Sequence, residues 1–486
     1  MSDKTMFMLS DFSGGMNTVM APHEIADNEA VQITNFDLDF RGKLVKRLGT
    51  QYYAFSGGNT YNILPTYVNE STKALYKGEH GSLLISYDYS LYKYDFSSSI
   101  TNLYTYTIGS ARKFLEYTAA GTKYYYAINN LAAPVKWDGS AASFVAVPGT
   151  PPNAYDSVEF QNRLWLLSSA DYKTLYFSPL QNDNVWTTYI QLEKQAIDLI
   201  PVRDKIYCFG GKNIQVVYGS SALSFGSRVL FTDFGGFGAK VWRGNIILFI
   251  GSDYEIYEWD GVNLPRRISV KYKTNNEIVD AVTAICGNKY LISLKSSSSS
   301  TYRDKQIVVH LDIRDENGIP AFSERDYGFD VIVDELESET RKKPYFQNSQ
   351  NFYATLNDAK SLLILGIGTT DADGAGNNDA DITFEYQSKN YDLGSIANDK
   401  TIYRRWLCGN GADFPVTLKT TAIKYDGTTE DDTSSFDLAS GGIEINESHL
   451  DDDITGRFFN FNITGGSGNA DEELYTIMYE VDGEEA

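Results

Sequence analysis

"IYEWDG", residues 256–261, sets the reading of this chain: an apolar strand runs into an aromatic residue, and an Asp-Gly pair turns the chain directly after it. Ile, Tyr and Trp suit the half-buried pleated surface of a sheet. Asp-Gly suits a tight turn that needs φ > 0. "PVKWDG" at 134–139 repeats the arrangement, and looser versions recur as "LYKYD" (91–95), "LYFS" (175–178), "IQVVYG" (214–219) and "IVVHLD" (307–312). The anchors Tyr94, Trp137, Phe177, Tyr218, Trp259 and Leu311 stand 43, 40, 41, 41 and 52 residues apart.

A period of about 40–45 residues is what one four-stranded propeller blade consumes. The long last interval holds "KSSSSSTYRDK" (295–305), a Ser-rich polar insert that reads as an extended hairpin loop. Helical periodicity is nearly absent between the runs. WD40 repeats are excluded, because Trp-Asp occurs only twice and no Gly-His partner precedes it. The competing reading is an irregular β-sandwich with coincidental spacing, and five successive intervals near one value argue against it.

The expected fold is therefore all-β: a β-propeller of six or seven blades over 51–380, preceded by an N-terminal lead-in over 1–50 and followed by a C-terminal β-sandwich or jelly-roll-like domain over 381–486. The last domain rests on strand runs such as "ITFEYQSKNYDLG", "IYRRWLCG" and "GRFFNFNITGG" after the Gly/Asp/Asn-rich stretch 369–381. In the lead-in, Asp27 reads as the N-cap of a short helix through Asn28–Thr34, with Glu29 near its positive end. Phe36, Leu38 and Phe40 alternate with Asp37 and Asp39, which predicts a strand with one buried face before a hairpin turn at Arg41-Gly42. Lys43, Lys46 and Arg47 either belong to this cap or meet a partner. Asp451, Asp452 and Asp453 read as a solvated turn that blunts edge pairing, and "DELESETRKK" (334–343) as a charged loop or short exposed helix.

Composition narrows the function classes. At 486 residues the chain exceeds what one core sustains. With 35 Tyr, 26 Phe and 6 Trp it favours strands. A formal charge of −22 argues against a broad nucleic-acid-binding face, which needs clustered Lys and Arg to replace phosphate counterions. Cys208, Cys286 and Cys408 lie far apart in apolar contexts and read as buried free thiols of a protein made in a reducing cytoplasm. "MSDKTMFMLSDF" lacks the apolar core of a signal peptide. Runs such as "NIILFI" (245–250) are too short to span a bilayer, so no membrane insertion is expected.

No motif for chemistry emerges. His23, His80, His310 and His449 share no metal-ligand spacing, and Asp233-Phe234-Gly235 is read as a turn, without the strand Lys or His-Arg-Asp loop of a kinase. The acidic loop 371–381 has oxygen ligands at alternate positions, but the twelfth position from Asp371 is Ile382, where a calcium loop needs Glu. No catalytic, cofactor-binding or metal residue is assigned, and the chain reads as non-enzymatic.

The opening stretch carries a resemblance. Gly14-Gly15, then "DNEAVQITNFDLD" (27–39) with Asn35 near its centre, then Gly42, Leu44, Arg47 and Gly49 of "GKLVKRLGT" follow in order. This pattern resembles the N-terminus of the tail hub and nozzle proteins of short-tailed bacteriophages, the packaged-DNA stabilisation and tail tubular protein B-like family. The blocks at 197–221 and 234–261 and the C-terminal strand runs are similar to the middle and end of such proteins. The resemblance implies a structural virion protein, made in the host cytoplasm and resident in the tail. Six copies would ring the tail axis below the portal and adaptor proteins, extend the DNA channel, retain packaged DNA and carry fibres or a needle. DNA would pass without specific binding, and an acidic wall repels phosphates. The alternative is a glycan- or host-receptor-binding β-propeller.

Overall fold

The computed structural model describes residues 4–47, 49–52, 72–77, 82–87, 89–94, 100–274, 278, 281–296, 303–328, 331–333, 352–355, 362–365, 381–393, 399–410, 414–438, 444–466 and 473–483. Among them, antiparallel four-strand units follow one another along the chain: blade 1 (72–105), blade 2 (111–146), blade 3 (154–191), blade 4 (198–231), blade 5 (236–267), blade 6 (282–325) and blade 7 (331–365). The first strand of each blade lies beside the first strand of the next, and that of blade 7 returns to that of blade 1. The ring is closed, so the fold is an all-β seven-bladed propeller.

All six anchors fall on the third strand of blades 1 to 6 in turn. Tyr94, Trp137, Phe177, Trp259 and Leu311 are buried, whereas Tyr218 is 42% exposed and its neighbour Val217 fills the core instead. In blades 2 and 5 the Trp-Asp-Gly unit is a self-contained turn. The indole of Trp137 donates to Ala141 O (2.7 Å), and that of Trp259 to Asn263 O (2.6 Å). The carboxylate of Asp138 accepts the amides of Ser140 and Ala141, and that of Asp260 accepts those of Val262 and Asn263. Gly139 and Gly261 sit at φ 87° and 77°.

Separate apolar clusters fill the spaces between blades 1 and 2, 2 and 3, 3 and 4, and 4 and 5. Polar contacts continue the seam along the innermost strands. Lys113 of blade 2 pairs with Asp156 of blade 3 (2.8 Å), whose other oxygen accepts Leu199 N of blade 4 (2.7 Å). Asp198 of blade 4 accepts Ala239 N of blade 5 (2.9 Å), and Gly238 O accepts the Thr283 hydroxyl of blade 6 (2.8 Å).

The first 52 residues supply six short strands: β1 (Thr5–Leu9), β2 (Gly15–Met16), β3 (Glu29–Thr34), β4 (Phe36–Leu38), β5 (Leu44–Lys46) and β6 (Thr50–Tyr52). β6 is the outermost strand of blade 7, paired with Leu362–Leu365. β3 pairs on one side with the outer strand of blade 6 and on the other with Phe384–Ser388, making one sheet of blade 6 and half of the C-terminal sandwich. β1 and β5 both lie along Glu473–Gly483 in the opposite sheet, and β4 pairs with β5. The sandwich sheets meet through the Phe461 and Tyr479 rings, stacked at 4.1 Å, and through buried Arg405, which reaches Thr420, Ser434 and Asp432.

Three expectations change. The helix expected through Asn28–Thr34 is strand β3, and Asp27 caps nothing helical: it pairs with Lys389 (2.7 Å). Val31, Ile33 and Thr34 are β-branched and stiff at χ1, and a strand partner is available on each side, whereas one isolated helical turn or two is marginal. Phe40 is 71% exposed, because the chain has already entered the hairpin turn. Asp451–Asp453 lie within the edge strand Glu444–Gly456, where the register jumps from Ile402↔Ile454 to Arg404↔His449 and bulges the acidic run out of the ladder. Residues 334–343, 371–380 and most of the Ser-rich insert lie outside the described residues.

Candidate functional site

Gly14, Gly15, Asn35, Leu44 and Arg47 of the opening stretch meet at the joint between propeller and sandwich. β3 ends at Thr34, and the chain reverses at Asn35, which is fully buried at φ 59°. Asn35 N donates to Glu324 O of blade 6 (2.9 Å), and its Nδ2 donates to Thr383 O at the start of the sandwich (2.6 Å). Its Oδ1 accepts Nε of Arg47 (2.7 Å), and its backbone oxygen accepts Arg47 N (3.0 Å). Arg47, 2% exposed, lies over the Tyr327 ring and pairs with Asp326 just past blade 6 (3.4 Å). One asparagine thus ties the hairpin, the propeller and the sandwich together.

The glycine pair serves close approach. Gly15 sits at φ 71°, where a Cβ would lie 2.6 Å from Phe322 N of blade 6. A Cβ on Gly14 would lie 2.6 Å from Asn28 O, which Gly14 N bonds instead. Leu44 is buried against Leu474 of the sandwich, and Lys43 pairs with Glu473 (2.9 Å). Lys46 and Arg47 are buried within the chain.

Charges unseen in the sequence pattern complete the joint. Asp37 of β4, on the side expected to be wet, is 21% exposed and pairs with Lys289 (2.7 Å) and Arg325 (2.8 Å) of blade 6. Burial opposes its carboxylate, yet those two charges overcome burial and hold its pKa well below the usual range. His310, buried on the third strand of blade 6, contacts the Ser323 hydroxyl (2.9 Å). Burial, and then the nearby Lys289 charge, push it down to about 3. On the other flank Glu29 of β3 pairs with Lys271 (2.7 Å), which also reaches Asp315 (2.6 Å).

A single apolar core runs from Leu248 and Tyr290 through Ile33 and Phe36 to Phe384 and Tyr479. The joint is continuous in sheet, core and charge. His23 is exposed whereas His310 is buried, and the side chains of His80 and His449 lie outside the described residues. Among the described residues no three His, Cys, Asp or Glu gather as a metal set, and no helix is long and apolar enough to cross a membrane. "NIILFI" falls on the second strand of blade 5, Ile246–Gly251, and the cysteines form no disulfide, with Cys208 and Cys408 buried and Cys286 half-buried.

No protein-family model matches this chain, and no curated protein does. Among solved structures it is similar to the computationally designed Ika8 protein, at 8% identity and TM-score 0.40, over 62% of this chain and 97% of that one. A chain of the Mitotic Checkpoint Complex matches at 9% identity and TM-score 0.43, over 65% of this chain and 99% of that one. YCF48 bound to D1 peptide matches at 12% identity and TM-score 0.38, over 60% and 92%. The propeller assignment rests on the closed ring of blades described above.

Proposed function

We propose that this protein is a structural ring component of a short-tailed phage tail, a hub or nozzle subunit below the portal and adaptor that extends the DNA channel and helps to retain packaged DNA. The observation that carries the reading is the coincidence of pattern and place. Gly14-Gly15, Asn35, Leu44 and Arg47, which carry part of the resemblance, are residues that build the joint. A part that holds back compressed DNA must transmit load between its domains without hinging, and a shared sheet with buried ion pairs resists hinging far better than a linker. The acidic chain suits a conduit that should not retain phosphates.

The test is native mass measurement with the adaptor ring present. A closed ring of six copies is expected. A protein that stays monomeric beside the adaptor and binds glycans tightly would overturn the reading.

A further inference from the structure

Three lysines converge on a groove of about 430 Å³ at one end of blades 3 and 4. Lys173 ends the turn between the second and third strands of blade 3, Lys194 lies in the connection from blade 3 to blade 4, and Lys212 lies in the corresponding turn of blade 4. Many lysines elsewhere are matched to carboxylates, as Lys113 is to Asp156 and Lys289 to Asp37. Among the described residues none of the three groove lysines is ion-paired. On a chain of net −22, three lysines without an ion pair line this one groove.

The platform under them is built, not loose. Gln215 is fully buried in the third strand of blade 4 and uses its whole amide on the connection. Its Oε1 accepts Glu193 N (3.0 Å) and Lys194 N (3.1 Å), while Nε2 donates to Lys194 O (2.8 Å) and Asn213 Oδ1 (3.1 Å). Asn213 Nδ2 donates to Gln195 O (3.1 Å), and Ala196 N donates to Tyr172 O (2.8 Å) across to blade 3. The backbone carrying Lys194 is therefore fixed before any ligand arrives, which lowers the ordering cost of binding.

We infer that this groove docks a carboxylate-rich segment of a partner protein. Nucleic acid fits it poorly: a duplex presents one charge about every 1.7 Å of axis and needs a long basic track. Here three lysines stand alone, and Asp171 and Glu193 flank them in sequence. A short acidic peptide matches that charge over the same span, and its stem methylenes can lie on Ile197, which is 37% exposed. The docking stands whether or not the ring forms.

Fluorescence anisotropy of labelled octaglutamate with the whole protein at low ionic strength tests this. Saturable binding is expected that weakens with added salt. It should fall roughly tenfold or more in the triple variant Lys173→Gln, Lys194→Gln, Lys212→Gln, from three lost surface charge contacts. Lys205→Gln, at the start of the second strand at the opposite end of blade 4, should bind like the wild type, and both variants should melt at the wild-type temperature. Absence of binding, undiminished binding by the triple variant, or stronger competition from a single-stranded oligonucleotide or orthophosphate than from unlabelled peptide would each overturn the assignment.

Discussion

Asn35 occupies a left-handed backbone that asparagine tolerates better than most residues, and its side chain spends both ends on different domains. Gly15 is more constrained, because its φ of 71° coincides with a backbone contact that leaves no room for Cβ. The two causes of strain can be separated. Gly121, at φ 80° in the first turn of blade 2, has nothing within 4 Å of where a methyl group would stand, so Gly121→Ala should cost only about 1 kcal/mol, the conformational term alone. Gly15→Ala adds the clash with Phe322 and should cost about 3 kcal/mol or more. Equilibrium urea unfolding of both variants checks this, and equal losses would mean that blade 6 yields at Phe322. At the same scale, the Trp-Asp-Gly turns show how a motif can recur for local reasons. Indole and carboxylate satisfy the turn's own carbonyl and amides, and no ligand is needed to explain them.

At the scale of elements, β3 and blade 6 form a joint whose charges respond to acid. An unfolded histidine takes up a proton below about 6.5, while His310 in the fold resists until about 3. Its folded pKa is depressed, so the unfolded state gains protons first as pH falls. Stability is whole above 6.5 and drains between 6.5 and 3, by roughly 2–4 kcal/mol. Asp37, depressed by its two partners, adds a further loss below its ordinary value of 3.8. His310→Gln should flatten the stability curve between pH 6.5 and 4.5 in urea unfolding, and an unchanged slope would place the acid sensitivity elsewhere. The periodic part of this architecture was legible from sequence, because each blade repeats its third strand: Trp137, Phe177 and Trp259 mark that strand directly. Tyr218 marked it one residue late, since an exposed aromatic and the buried Val217 sit side by side. Blade 7 left no mark, for its outer strand is residues 50–52 and its other strands lie beyond the charged segment 334–343 or just before it. The joint was legible only as an ordered pattern. Partners such as Asn35 with Thr383 or Gly15 with Phe322 are hundreds of residues apart, and no local rule pairs them. At β3, Asp-Asn-Glu before a mixed run imitates a helix start, and strand partners on both sides override that signal.

For the whole molecule, the first 52 residues are shared property: β6 completes the propeller, β3 bridges it to the sandwich, and β1 and β5 edge the last strand. Removing residues 1–52 should therefore abolish the cooperative thermal transition and send the protein into aggregates, as read by calorimetry and sedimentation. Loss of β1 alone (residues 1–9) should leave a soluble protein with a lower Tm. A soluble 53–486 fragment with a sharp native-like transition would refute the shared role. The same interlacing acts on synthesis. β6 leaves the ribosome some 310 residues ahead of Leu362–Leu365, its strand neighbour, and β1 waits until Ile477–Val481 has emerged. At about 5–20 residues per second the first wait lasts roughly 15–60 s. A chain released early keeps an open ring and an unfilled sandwich edge, and it is left to chaperones and proteases. Only translation carried through Glu473–Gly483 supplies every partner of the N-terminal strands, so the threading of the chain acts as a length check on folding itself.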